Sequence, residues 1–157
     1  MRHITFTSKV FHDIMRALGS QEPEQGGVLG SSDGGSTINH FYYDKTASVS
    51  SSTYTPDVSR INKLLKSWNI NGIRMVGIVH SHPTGYFTPS NGDQIYAARI
   101  LASLCEDYFL LSIMQRLQSG EYDMHGFCAY NSASPYRRLR RNELPVICPC
   151  NIVIKHH

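Results

Sequence analysis

No stretch of this chain approaches the ~18 consecutive apolar residues that span a bilayer, and its first ten residues, Met-Arg-His-Ile-Thr-Phe-Thr-Ser-Lys-Val, lack the long apolar segment of a secretory leader. The expectation is a cytoplasmic protein with no membrane partner. Charge is also scarce: 17% of residues are Asp, Glu, Lys or Arg, and the net charge is only +3. The one basic cluster, Arg137-Arg138-x-Arg140-Arg141, is too short a patch to argue for nucleic acid, so none is expected as a partner. Cysteine is limited to Cys105, Cys128, Cys148 and Cys150, and no two stand in the C-x-x-C spacing of zinc or redox sites. Free thiols are the simple reading. A second metal site from Cys148, Cys150, His156 and His157 is the remote one. Internal repeats are absent, and the only biased tract is the Ser- and Thr-rich Lys45 to Pro56, read as a surface connection in preference to a loop beside a site.

What is present is a globular composition, 41% hydrophobic over 157 residues, which fits one domain of ordinary size. We take 1–157 as that domain, with 134–157 as a C-terminal extension whose Val146 to Ile154 either adds an edge strand or docks on a partner. Val10, Phe11, Ile14, Met15 and Leu18 form a helical stripe, with Thr7 or Ser8 as cap and Gly19 as stop. Pro23 to Gly30 reads as a strand, Ser31 to Gly35 as a turn, and Thr37 to Tyr43 as the partner strand of a hairpin. A second helix runs from Asp57 to Trp68 with Val58, Ile61, Leu64, Leu65 and Trp68 on one face. A third continues to about Cys105 with Ile95, Ala98, Leu101, Ala102 and Cys105 inward. Tyr108 to Met114 and Tyr122 to Tyr130 then form an antiparallel pair. The order α-β-β-α-β-α-β-β predicts an α/β fold: a mixed, mainly antiparallel sheet flanked by helices.

One stretch carries chemistry. Val76 to Gln94 reads V-G-I-V-H-S-H-P-T-G-Y-F-T-P-S-N-G-D-Q, and an apolar run delivers His80 and His82 two residues apart, hence on one side of an extended chain. Asp93 falls in the first turn of the helix that Ser90-Asn91-Gly92 opens. Two imidazoles and a carboxylate are a ligand set for a catalytic zinc, which keeps its fourth position for a water of pKa about 7. Such a site also needs a proton carrier and a donor aimed at a developing oxyanion. Ser90 is placed for the donor. Glu24, in P-E-Q-G-G-V-L-G, is the better candidate carrier, with Glu22 its rival. Each residue also has a plain structural reading: strand histidines are commonly satisfied polar groups, and Ser90 with Asp93 is a capping box variant.

His80-x-His82, seven residues, Ser90, two residues, Asp93, with Glu24 upstream of G-G-V-L-G, resembles the motif of the JAMM (MPN+, Mov34-type) zinc metalloproteases, over about Phe6 to Tyr130. The resemblance implies the JAMM/MPN, cytidine-deaminase-like three-layer arrangement and one Zn2+ per chain held by His80, His82 and Asp93. It makes Glu24 the residue that polarises water and shuttles its proton, and Ser90 the one that stabilises the oxyanion. It also implies a deubiquitinase-like isopeptidase or peptidase whose substrate is a ubiquitin-like protein or its conjugates. The short chain is similar to compact prokaryotic-type members, which process ubiquitin-like or sulfur-carrier proteins with Gly-Gly tails. Tyr86 and Phe87, between the ligands, either line a substrate channel or pack. Two other classes remain: a non-catalytic scaffold or binding module of the same fold, and a deaminase. The deaminase lacks its H-x-E and P-C-x-x-C signature here.

Overall fold

The computed structural model describes residues 1–19, 25–35, 37–45, 48–49, 54–103, 108–130 and 143–156. In chain order the elements are β1 (His3–Thr7), α1 (Ser8–Gly19), β2 (Gly26–Ser31), β3 (Thr37–Ile38), β4 (His40–Tyr43), β5 (Ser48–Val49), β6 (Tyr54–Thr55), α2 (Val58–Ile70), β7 (Arg74–Ser81), α3 (Asn91–Ser103), β8 (Tyr108–Arg116), β9 (Tyr122–Tyr130) and β10 (Val146–Lys155). Eight strands form one mixed sheet in the order β3-β1-β10-β9-β8-β7-β2-β4, and β5 and β6 make a separate small hairpin. Most of the pairings are antiparallel; β1 runs parallel to β10 and β3, and β7 parallel to β8. No helix among the described residues is long and apolar enough to cross a membrane.

The centre of the sheet is buried on both faces, which is why β8 is a nearly unbroken apolar run from Phe109 to Met114. On one face α1 lays Val10, Ile14 and Leu18 against Phe6, Leu29, Val79, Leu110 and Met114. On the other, α2 and α3 bring Ile61, Trp68, Ala97 and Leu101 onto Val28, Ile78, Phe109 and Leu111. Three layers result, helix on sheet on helices. Along β7 the alternation slips once, at a bulge where Leu29 faces Gly77 and Gly30 faces Met75, leaving Val76 as the extra residue. Past the bulge, Ile78 and His80 point to the α2/α3 face.

Local chemistry explains several boundaries. Thr7 Oγ1 accepts the Val10 N–H at 3.3 Å and caps α1, while Asp57 caps α2 by accepting the Arg60 N–H at 3.2 Å. Gly19 ends α1 for a reason other than a left-handed turn: a Cβ there would lie 2.6 Å from the Tyr122 ring, whose hydroxyl donates to the Gly19 carbonyl at 2.8 Å. The Ser31 to Gly35 turn closes on Ser31 Oγ, which donates to Asp33 Oδ1 at 2.6 Å and accepts from Gly35 N at 3.0 Å, with Gly34 and Gly35 at φ 81° and 94°.

Four expectations are corrected. Thr37 to Tyr43 is two strands rather than one: Asn39 N–H bonds back to the Gly30 carbonyl at 3.1 Å, so Thr37–Ile38 turns to pair with β1 and only His40–Tyr43 pairs with β2. Val146 to Ile154 is no edge strand; β10 lies inside the sheet between β1 and β9. Val58 stands 62% exposed because it opens α2 beyond the reach of the sheet. The inward face of α3 is Ala97 and Leu101, with Ile95 and Ala102 exposed. Cys105, the Arg137 to Arg141 cluster and His157 lie outside the described residues.

Candidate metal centre

The site forms where β7 ends and α3 begins. His80 and Ser81 close β7, and His82 continues its course, its N–H donating to the Met114 carbonyl of β8 at 3.0 Å. Alternation therefore puts the two rings on one side, stacked with centroids 4.5 Å apart and 12° between planes. Both rings are buried. From α3, Asp93 sits one turn before Ala97 and two before Leu101, so the helical face that packs on the sheet also carries the carboxylate to the histidines. His80 Nε2 lies 2.9 Å from Asp93 Oδ1 and His82 Nε2 3.5 Å from Oδ2. One ligand atom from each of the three residues falls within 4.8 Å of the others, and among the described residues this is the only such group.

Ser90 locks the carboxylate in place. Its N–H donates to Asp93 Oδ2 at 2.7 Å while its hydroxyl oxygen accepts the Asp93 N–H at 3.1 Å, a reciprocal cap of the α3 N-terminus. The capping-box reading of this pair is the geometry seen. The hydroxyl stays at the exposed mouth of the site.

Protonation favours a cation here. Burial pushes the His80 imidazole down to about 4, with His82 acting in the same direction and the charge of Asp93 against it, so the ring is neutral near pH 7. For Asp93, burial works to raise the carboxyl, but the bonds from His82 and Ser90 N–H and the charges of both histidines outweigh it and hold it below the usual value. The Tyr86 carbonyl lies 3.1 Å from His82 Nδ1; a carbonyl only accepts, so Nδ1 donates to it and Nε2 is the nitrogen turned to Asp93. Two imidazole nitrogens and a carboxylate, all within 4.8 Å of one another, are a donor set that fits zinc.

Of the other residues singled out from the sequence, Glu24 lies outside the described residues. The chain is described from Gln25 onward, and Gln25 is tied to the site: its N–H donates to Ser81 Oγ at 3.0 Å, its carbonyl accepts the Ser81 N–H at 2.8 Å, and its side-chain oxygen accepts from the Tyr43 hydroxyl at 2.8 Å. The sequence reading missed Ser81 and Gln25. Their role depends on β2 pairing with β7, which no local pattern announces. Tyr86 and Phe87 are 69% and 49% exposed, and the Phe87 ring stands 5.2 Å from that of His125 on β9.

A three-layer fold with a His-His-Asp group at a strand-helix junction defines a domain built around a candidate metal centre. The chain belongs to the family described as prokaryotic homologs of the JAB domain, whose model matches residues 7–126. That family includes metalloproteases, and membership alone does not make a chain one. The fold is similar to that of protein DSY2949 from Desulfitobacterium hafniense, solved in solution, at 19% identity with a TM-score of 0.69, over 98% of this chain and 94% of that one. No curated protein matches.

Proposed function

We propose that this chain is a zinc-dependent isopeptidase or peptidase that cleaves after the C-terminal Gly-Gly tail of ubiquitin, or of a ubiquitin-like or sulfur-carrier protein. The observation that carries the reading is the convergence of His80, His82 and Asp93, with Ser90 bonded to the same carboxylate. In this reading those three side chains hold the ion. Zinc supplies Lewis acidity, making water acidic enough to attack near neutral pH and polarising the scissile carbonyl. Glu24 takes the proton from the attacking water and returns it to the leaving amine. The anchoring of Gln25 to Ser81, between the two histidines, supports that role for its chain neighbour. The Ser90 hydroxyl donates to the carbonyl oxygen as charge builds on it. A Gly-Gly tail suits a buried centre because it is extended and free of side chains, so it reaches the metal where a bulkier chain would clash. In this reading the exposed Tyr86 and Phe87 would line its path.

The test is cleavage of a panel of ubiquitin and ubiquitin-like C-terminal fusions, with and without chelator, beside Glu24→Gln and a zinc count on the same preparation. Chelator-sensitive cleavage that falls at least about a hundredfold in Glu24→Gln, with zinc retained, is the expected result. A Glu24→Gln rate equal to that of the parent would overturn the assignment. A preparation free of zinc and no less stable would transfer the weight to a non-catalytic scaffold.

A further inference from the structure

The loop between His82 and Ser90 joins the two halves of the metal centre, and it begins with a tight turn. The Tyr86 N–H donates to the Pro83 carbonyl at 3.1 Å, and Gly85, third in the turn, has φ 93°, a conformation that glycine takes without strain. The turn brings the Tyr86 carbonyl back to the histidine that precedes it, where it accepts from His82 Nδ1 at 3.1 Å. That bond sets the orientation of the ring and leaves Nε2 toward Asp93. The group that aims His82 is thus a main-chain carbonyl in an exposed turn. Such a carbonyl aims a ring only as well as its own turn is held.

Two side chains hold it against β8. Thr84 Oγ1 donates to the Arg116 carbonyl at 2.8 Å, which ties the second residue of the turn to the end of the strand. Gln115 Nε2 donates to the Pro83 carbonyl, at the first residue of the turn, over a longer 3.4 Å. Gln115 is 4% exposed and follows directly on the apolar run of β8, a place where an amide is costly unless it is bonded. Its bond to the turn gives it a reason to be there. Just past the turn the Phe87 ring stands 5.2 Å from that of His125, whose Nε2 lies 3.1 Å from Asp123 Oδ2. Neither Thr84 nor Gln115 belongs to the ligand group.

We propose that Thr84 and Gln115 are positioning residues of the metal centre: by holding the Pro83 to Tyr86 turn on β8 they preset the His82 ring, and so set how tightly the site binds zinc. The inference rests on the metal-centre reading and extends it to residues that are not ligands. A ring held in place before an ion arrives has less freedom to lose on binding, so loosening the turn lowers metal affinity. The fold itself, whose core lies elsewhere, keeps its stability.

The experiment needs no substrate. The full chain, loaded with zinc, is titrated with a chromophoric chelator to obtain the zinc dissociation constant, and urea midpoints are taken on the same preparations in excess chelator. Thr84→Val, close in shape but without the hydroxyl, and Gln115→Met each weaken zinc binding several-fold, and the two together by roughly tenfold, the lower end for lost support behind a ligating histidine. Thr84→Ser keeps the hydroxyl and the parent affinity. Gly85→Ala weakens binding as well, and because a Cβ at position 85 meets nothing within 4 Å, its effect is confined to the backbone of the turn. Urea midpoints of Thr84→Val and Gln115→Met stay near that of the parent. A parent that binds zinc, with Thr84→Val, Gln115→Met and Gly85→Ala binding it equally well, would overturn the inference and leave the metal centre standing. Affinities that fall only in step with the urea midpoint, or a Thr84→Ser variant as weak as Thr84→Val, would do the same. A parent that takes up no zinc would overturn the metal centre itself, and the inference with it.

Discussion

Gly77 shows how much of this site rests on a residue that does no chemistry. A Cβ there would strike the Leu110 carbonyl oxygen and lie 2.6 Å from Leu110 Cβ, so β7 reaches β8 closely only because position 77 has no side chain. Gly77→Ala is expected to cost about 1–3 kcal/mol in urea denaturation, the usual range for overpacking against a rigid neighbour. It also displaces the strand that carries His80. Asp93 joins two duties, ligand geometry and helix cap, and Ser90→Ala separates them. Loss of the cap costs about 1 kcal/mol of stability, whereas loss of an oxyanion donor lowers the rate roughly 10²–10³-fold on a substrate that is cleaved. An equal small effect on both would leave Ser90 a cap alone. At this scale the histidines were readable in the sequence, because alternation in a strand is a local rule and two residues suffice to apply it. The tie of Gln25 to Ser81 was not readable, because it depends on β2 pairing with β7 across 56 positions of sequence.

Among elements, α3 shows what hydrophobic pattern alone decides badly. Alanines and aliphatics occur all around it, so the sequence grouped Ile95, Ala98 and Ala102 with the buried Leu101 and passed over the buried Ala97. Asp93 lies on the face of Ala97 and Leu101, so the packing of that face on the sheet and the 2.9 Å contact of Asp93 with His80 go together. The second helix was clearer because Asp57 marks its start. Asp57→Ala is expected to destabilise by about 1 kcal/mol, measured by thermal melting with zinc held constant, and to leave the metal site intact. Its backbone N–H also donates to Asp44 Oδ2 at 3.0 Å, a contact the substitution retains. The split of the expected hairpin strand at Asn39 was hidden for a different reason: its apolar pattern runs through the break, and the interruption is made by hydrogen bonds to Gly30 and Ser32.

For the molecule as a whole, a metal that binds only the folded state adds stability by mass action. On the proposed function, zinc at 100 times its dissociation constant is expected to contribute about 2.7 kcal/mol and to raise the melting temperature by roughly 5–10 °C for a domain of this size. Chelator should reverse the shift, and His82→Ala should abolish it. The fold class was legible because strands and helices were separately signalled. The order of strands was not, because β1 and β10, far apart in the chain, meet inside the sheet. His3 to Thr7 pair in parallel with Asn151 to Lys155, and β3 joins the sheet through β1. During synthesis β1 emerges well before β10, and until β10 follows, β1 and β9 keep unpaired the edges that it will bridge. Nascent chains of this protein are for that interval natural clients of whatever shields exposed strands in the cell.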